Sequence, residues 1–301
     1  MVIISYMSKL KFIVILGPTS SGKSSLAIAL AKKFNGEIIS ADSRQVYKGM
    51  DIGTGKITKA EQKQIPHHLL NIVSPKKQFS VAEFKPLATK AVEKITAKGK
   101  LPFLVGGTPF YIYATIDNLQ IPATKPNVKL RKQLEKKPAV ELFKILKKLD
   151  PRRAKKIDPH NPRRLIRAIE IVKATGQPIP PYSHYPHYAP LILGIKKSPE
   201  KLNKLIKQRL EKRLRAGMVA EVKNLLKQKV SHKRLQELGL EYRFISLFLQ
   251  GKLTYQEMKV HLLAAIVKFS KRQMTWFKTD QRILWITNQK QAERLVRQFL
   301  F

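Results

Sequence analysis

Short apolar runs and amphipathic stretches alternate over the first third of the chain. KFIVILG (11–17) is brief, β-branched and closed by glycine, which predicts a buried strand. Ser24 to Phe34 then carries helical periodicity and stops at Asn35-Gly36. EIIS (37–40) predicts a second strand ending at Ala41-Asp42-Ser43, and HLLNIV (68–73) a further one. Ser80 to Ala97 reads as a helix stopped by Gly99, and LPFLVGG (101–107) as a strand with a glycine turn at its carboxyl end. Such βαβ alternation predicts a parallel sheet whose ligands lie at the carboxyl ends of its strands.

The pattern changes near Pro122. Helical stretches at 128–137, 138–149 and 163–175 are separated by Asp-Pro and His-Asn-Pro breaks. A proline-aromatic run, QPIPPYSHYPHYAP (177–190), then reads as a linker or hinge. LILGI (191–195) restores strand character, long helices follow at 199–229, 233–249 and 254–278, and ILWI (283–286) is a last strand candidate. The expected fold is α/β: a P-loop NTPase-like parallel sheet flanked by helices, with a small all-helical insertion domain. The expected boundaries are 1–121 for the first part of the core, 122–190 for the insertion and 191–301 for the second part.

Charge sharpens this picture. The 301 residues carry 59 Lys+Arg against 20 Asp+Glu, a net charge of +39. Residues 1–122 hold 17 basic and 7 acidic side chains, and residues 123–301 hold 42 and 13. A surplus concentrated this way favours a phosphate-rich partner, nucleic acid above all, although dispersed lysine also serves solubility. No apolar run approaches the roughly 20 residues of a membrane span. KLKFIVILG has a faint signal-peptide look but leads into a glycine-rich motif. The absence of cysteine excludes disulfides, thiolate metal sites and cysteine nucleophiles, and suits a reducing cytoplasm.

Candidate chemistry begins at Gly17-Pro18-Thr19-Ser20-Ser21-Gly22-Lys23-Ser24, which fits G-x-x-x-x-G-K-[ST] between a predicted strand and helix. Glycines let backbone N–H groups face an anion, the helix N-terminus adds positive potential, and Lys23 reaches phosphate oxygens. Ser24 offers a hydroxyl to Mg²⁺. The later strand ends in Gly106-Gly107-Thr108 rather than in the acid an NTPase would use for magnesium. Asp42, at the end of the second strand, suits a general base on the substrate side. The competing reading is a turn or helix N-cap aspartate. Group transfer from a phosphorylated donor follows. His67-His68 lack a ligand partner at metal spacing, and His184 and His187 read as loop residues.

These residues resemble the tRNA dimethylallyltransferases, also called tRNA isopentenyltransferases, through nearly the whole chain. GPTSSGKS, ADSRQVYKGMDIGTGK (41–56), PHHLLNIV, FSVAEF, LPFLVGGTPFYI, DPHNPRRLIRAIEI (158–171), GLEYR (239–243) and KRQMTWFK (271–278) occur in the family's order. Pro109 stands where the family pattern has glycine, and Gly55 where alanine is common. The resemblance implies transfer of a dimethylallyl group from dimethylallyl diphosphate to the exocyclic amine of the adenosine 3′ of the anticodon in tRNA. It implies a diphosphate held at 17–24 with Arg243, Mg²⁺ near Ser24, and Asp42 as the base, with Thr19, Thr108 and Lys23 beside it. Contact with the tRNA anticodon stem-loop is expected from Asp42, Ser43, Arg44, Gln45 and Thr108. It is also expected from the helix segment Arg163, Arg164, Leu165, Ile166 and Arg167, and from Lys271, Arg272, Gln273, Thr275 and Trp276. Solvated helix faces compete with this reading for the arginines, and core packing for Trp276. A monomer is expected. A small-molecule or nucleoside kinase, an adenylate isopentenyltransferase acting on free nucleotide, and a nucleotide-sensing RNA-binding protein are the rival readings.

Overall fold

The computed structural model describes residues 10–122, 124, 126–180 and 188–301. His184, Tyr185, His187 and the rest of 181–187, half of the proline-aromatic run, lie outside them. Two compact units emerge, one of Met1–Asn118 with Pro186–Phe301 and one of Leu119–Tyr185. The sequence expectation set the change at 122 and 190.

The first unit is built on a six-stranded sheet in the order β3-β2-β4-β1-β5-β6, with every pair parallel. Its strands are β1 (Leu10–Leu16), β2 (Gly36–Ser40), β3 (His67–His68), β4 (Leu101–Gly106), β5 (Tyr188–Ile195) and β6 (Leu284–Ile286). Alternation along β1 sends Phe12, Val14 and Leu16 to one face and Ile13 and Ile15 to the other, as the pleat requires. The first face packs with α3 (Val81–Ala97) and α4 (Pro109–Ile116). The second packs with α1 (Lys23–Lys33) and the C-terminal helix, which contributes Ala292 and Val296. Between β2 and β3 lies a short helix, α2 (Lys59–Gln64).

The second unit is helical: α5 (Val128–Leu134), α6 (Ala139–Leu149), α7 (Pro151–Ala154) and α8 (Pro162–Thr175). Leu134, Leu142, Leu146, Leu165 and Ile169 form its core. Buried Glu170 accepts from the Asn127 N–H and from Arg131 and Arg167, which fixes the start of α5 against α8.

After β5 the first unit continues with α9 (Pro199–Arg215), α10 (Met218–Lys227), α11 (His232–Leu238), α12 (Leu240–Leu249), α13 (Tyr255–Phe277) and, beyond β6, α14 (Gln289–Leu300). Residues 199–229 are therefore two helices, broken where Gly217 takes φ +95°. A second break at Gly239 divides 233–249. The strand expected at 68–73 shrinks to His67–His68, because Leu69 and Asn71 adopt left-handed backbone that a strand cannot continue through. The helices α2, α4, α7 and α14 were not anticipated. Among the described residues no helix is long and apolar enough to cross a membrane.

Candidate active site

The carboxyl ends of β1, β2 and β4 carry the chemistry. Residues 17–22 join β1 to α1, and Gly22 caps the helix at φ +96°, a left-handed conformation costly for any side chain. α1 begins at Lys23, with Ser24 exposed in its first turn. Pro18 and Ser21 are buried, and the Ser21 hydroxyl has no protein partner. Lys23 Nζ donates to the Pro18 carbonyl at 2.6 Å. Burial, and secondarily the charge of Arg209, push the Lys23 amine down to about 7, with Asp42 acting in the opposite direction.

Asp42 follows β2. Its Oδ1 accepts from the N–H groups of Arg44 at 2.8 Å and Gln45 at 3.4 Å, so the turn-aspartate reading describes one oxygen. Oδ2 has no hydrogen-bond partner among the described residues. The N–H of Ser43 donates to Thr108 Oγ1 at 3.1 Å, and the Thr108 hydroxyl reaches Ser43 Oγ at 3.4 Å. Thr108 is the N-cap of α4, and Pro109 occupies the first helical position, where no N–H is needed and a fixed φ suits the helix. The turn bearing Asp42 and the turn bearing Thr108 are thus tied together.

The loop 51–56 closes the site from another side. Glu221 accepts from the N–H groups of Asp51, Ile52 and Gly53 at 2.8, 2.6 and 2.9 Å, and from the Tyr242 hydroxyl. Lys56 is buried and donates to Tyr47 O, Asp51 Oδ1 and Asn71 Oδ1. Arg209 and Arg213, one turn apart on α9, donate to Gly55 O at 3.0 Å and Gly53 O at 2.7 Å. Burial and the neighbouring Arg213 lower the Arg209 pKa, while Glu241 and Asp42 oppose that shift.

Several site expectations need correction. Arg243 is exposed and donates to the Gln236 carbonyl, and the arginine whose charge acts on Lys23 is Arg209. Gln273 is 5% exposed, and its amide is spent inside the protein on Thr19 N–H and Gly107 O. It is not a surface RNA contact. Gln45 also has internal partners, accepting from Ser40 at 3.1 Å and approaching Gly55 O at 3.5 Å. Leu165 and Ile166 are core residues of the second unit, because the apolar face of α8 packs inward. Arg167 is paired with Glu170 and Thr124 O, whereas Arg163 and Arg164 are exposed. On α13, Lys271, Arg272, Thr275 and Trp276 are exposed, Trp276 at 46%, which removes the core reading for the indole. His68 pairs with buried Glu37, and no cluster of three metal-ligating side chains occurs among the described residues.

The family model described as IPP transferase matches residues 45–280. The chain belongs to the IPP transferase family. It is 41% identical to tRNA dimethylallyltransferase 1 of Syntrophus aciditrophicus, covering 91% of this chain and 92% of that one. It is 39% identical to the tRNA dimethylallyltransferase of Anoxybacillus flavithermus, covering 96% and 95%. Among solved structures it resembles the tRNA isopentenylpyrophosphate transferase of Bacillus halodurans, with TM-score 0.72, 35% identity and coverage of 97% and 96%. It also resembles a eukaryotic dimethylallyltransferase acting on tRNA, with TM-score 0.75, 28% identity and coverage of 96% and 77%. As a member of the IPP transferase family, the chain is a transferase on a P-loop-like parallel sheet with flanking helices. Arg209 and Arg213, which the sequence offers only as members of the basic cluster Arg209 to Arg215, and Glu221, which it does not single out, sit on helices distant in the chain from the loops they hold.

Proposed function

We propose that the protein transfers a dimethylallyl group from dimethylallyl diphosphate to the exocyclic amine of the adenosine 3′ of the anticodon in tRNA, releasing pyrophosphate. The observation that carries this is the pairing of two sites at the sheet's carboxyl edge: an anion cradle at 17–24 and a carboxylate, Asp42, held beside Thr108. The names of its relatives agree with this reading.

The diphosphate lies on the N–H groups of the loop, with Lys23 and Arg209 supplying positive charge as the carbon–oxygen bond breaks and the electron pair leaves with pyrophosphate. The adenosine nitrogen attacks the terminal allylic carbon and forms the new carbon–nitrogen bond. Asp42 Oδ2 then takes the proton from that nitrogen, while Oδ1 remains in the turn that aims it. An aryl amine is a weak base, so proton removal is late and alignment contributes most. The Ser24 hydroxyl, exposed at the start of α1, and the phosphate oxygens form a hard-oxygen donor set suited to Mg²⁺. Ser24 would hold such an ion, which would neutralise charge on the leaving diphosphate.

The acceptor base leaves the anticodon-loop stack to reach Asp42. Ser43 and Arg44 lie beside it. Lys271, Arg272 and Trp276 on the first unit, and Arg163 and Arg164 on the second, are exposed cations and an indole suited to RNA backbone and base contact. The enzyme works as a monomer in the cytoplasm. Labelled dimethylallyl diphosphate offered with unmodified tRNA, free AMP, or ATP as competing donor tests this. Label in tRNA alone is expected, label on AMP assigns a free-nucleotide enzyme, and phosphate transfer from ATP without prenylation assigns a kinase.

A further inference from the structure

We propose that Gln273 is a positioning residue that sets the separation between the diphosphate cradle and the acceptor side, an inference that rests on the prenyl-transfer reading above. The buried stripe of α13 runs Met258, Leu262, Ile266, Ser270, Gln273, Phe277, and Gln273 carries its only amide. Oε1 accepts the Thr19 N–H at 2.9 Å, and Nε2 donates to the Gly107 carbonyl at 2.6 Å. The two partners fix the amide's orientation, since a flip would set N–H against N–H and carbonyl against carbonyl. The approach is also tight. A Cβ at Gly107 would lie 2.5 Å from Nε2 and 3.4 Å from the Gly17 carbonyl.

Thr19 belongs to the loop that holds the diphosphate. Gly107 immediately precedes Thr108, whose hydroxyl holds the Ser43 N–H next to Asp42. A continuous chain therefore runs Thr19, Gln273, Gly107, Thr108, Ser43, Asp42. One side-chain amide spans the gap between the turn that binds the leaving group and the turn bearing Thr108, which is tied in its own right to the turn that aims the base. A reaction that joins two bound substrates is steep in that spacing, and a misplacement of about 1 Å can cost on the order of 100-fold in rate. Each substrate still finds its own contacts when the bridge is lost, so the defect belongs in kcat rather than in either KM.

Gln273→Glu separates this role from a purely structural one. A protonated carboxylic acid accepts at one oxygen and donates at the other, as the amide does, whereas the carboxylate has no proton for Gly107 O and repels it. Burial raises the pKa of such a carboxyl. Steady-state kinetics for wild type and Gln273→Glu are measured from pH 5.5 to 8.5, below the unfolding temperature, varying each substrate. The expected result is a kcat ratio depressed roughly 10- to 100-fold at pH 8.5 that recovers toward one at acid pH, with both KM values within about threefold of wild type. Gln273→Met, of similar volume but without either hydrogen bond, should be slow at every pH. A pH-independent ratio, a defect confined to the KM for tRNA, or wild-type kcat in Gln273→Met would overturn the proposal. Failure of wild type to prenylate tRNA would instead remove the functional reading beneath it.

Discussion

On the proposed reading, in which Lys23 contacts the diphosphate, its protonation is tied to ligand binding. With its amine lowered to about 7 by burial and by Arg209, the free enzyme holds it largely neutral above that pH. A diphosphate favours the ammonium, so binding takes up a proton between pH 7 and Lys23's ordinary range near 10.5. Affinity for dimethylallyl diphosphate should therefore fall as pH rises above about 7. Calorimetry in two buffers of different ionisation enthalpy should show that proton uptake, and Lys23→Arg, charged throughout, should lose it. The pH dependence of stability has the opposite sign. The unfolded chain binds the extra proton in this window, so the ligand-free fold gains stability as pH rises through it. Gly55 makes a second prediction. It takes φ +59°, and a Cβ there would lie 2.0 Å from Arg209 Nη2, so Gly55→Ala must displace that guanidinium. The KM for the diphosphate should rise several-fold while the salt dependence of tRNA binding stays as it was. The placement of the glycine-lysine-serine motif and of Asp42 at strand ends was legible in the sequence, because it depends on neighbours a few positions away. Arg209 was not, because it is one cation in a basic helix until the fold turns it toward Gly55 and Lys23.

Individual helices show the same division. α8 was legible as a helix over 163–175; the structure adds Asn161 as its cap and Pro162 at its first position, and its roles divide by face. Leu165 is fully buried, and Leu165→Ala should destabilise the second unit by about 2–5 kcal/mol. Hydrogen exchange confined to the residues of that unit would register the loss. Arg163 and Arg164 are exposed, so replacing both with glutamate should raise the KM for tRNA and flatten its salt dependence, leaving the KM for the diphosphate and the melting temperature near wild type. If stability fell instead, their contribution would lie in packing. The periodicity that showed α9 and α10 as one helix could not show the turn at Gly217. Conversely, β-branched Ile72 and Val73 suggested a longer strand than the left-handed Leu69 and Asn71 allow. C-terminal α14 leaves little trace in the pattern, because its buried positions, Ala292 and Val296, are few and lie among charged residues.

Across the whole chain, the parallel sheet follows from the βαβ alternation, whereas its order, β3-β2-β4-β1-β5-β6, is set by the fold. The helical second unit follows from the change in pattern after the fourth strand. What the sequence does not disclose is closure: the first unit joins segments on either side of the second, and only folding brings α9, α10 and α13 to the loops at 17–24, 51–56 and 106–108. A net charge of +39 gives the molecule a long-range attraction for polyanions, so tRNA association should weaken steeply with salt, far more than diphosphate binding. The central claim is that the cradle holds the leaving diphosphate while Asp42 takes the amine proton. Asp42→Asn tests it most directly, because the amide oxygen can still accept from Arg44 and Gln45 and keep the turn. The measurement is the single-turnover rate of dimethylallyl transfer to tRNA, with both substrates saturating. A rate lower by about 100- to 10,000-fold, with diphosphate affinity unchanged, is the predicted result. A rate within a few-fold of wild type would contradict the assignment of Asp42 as the base.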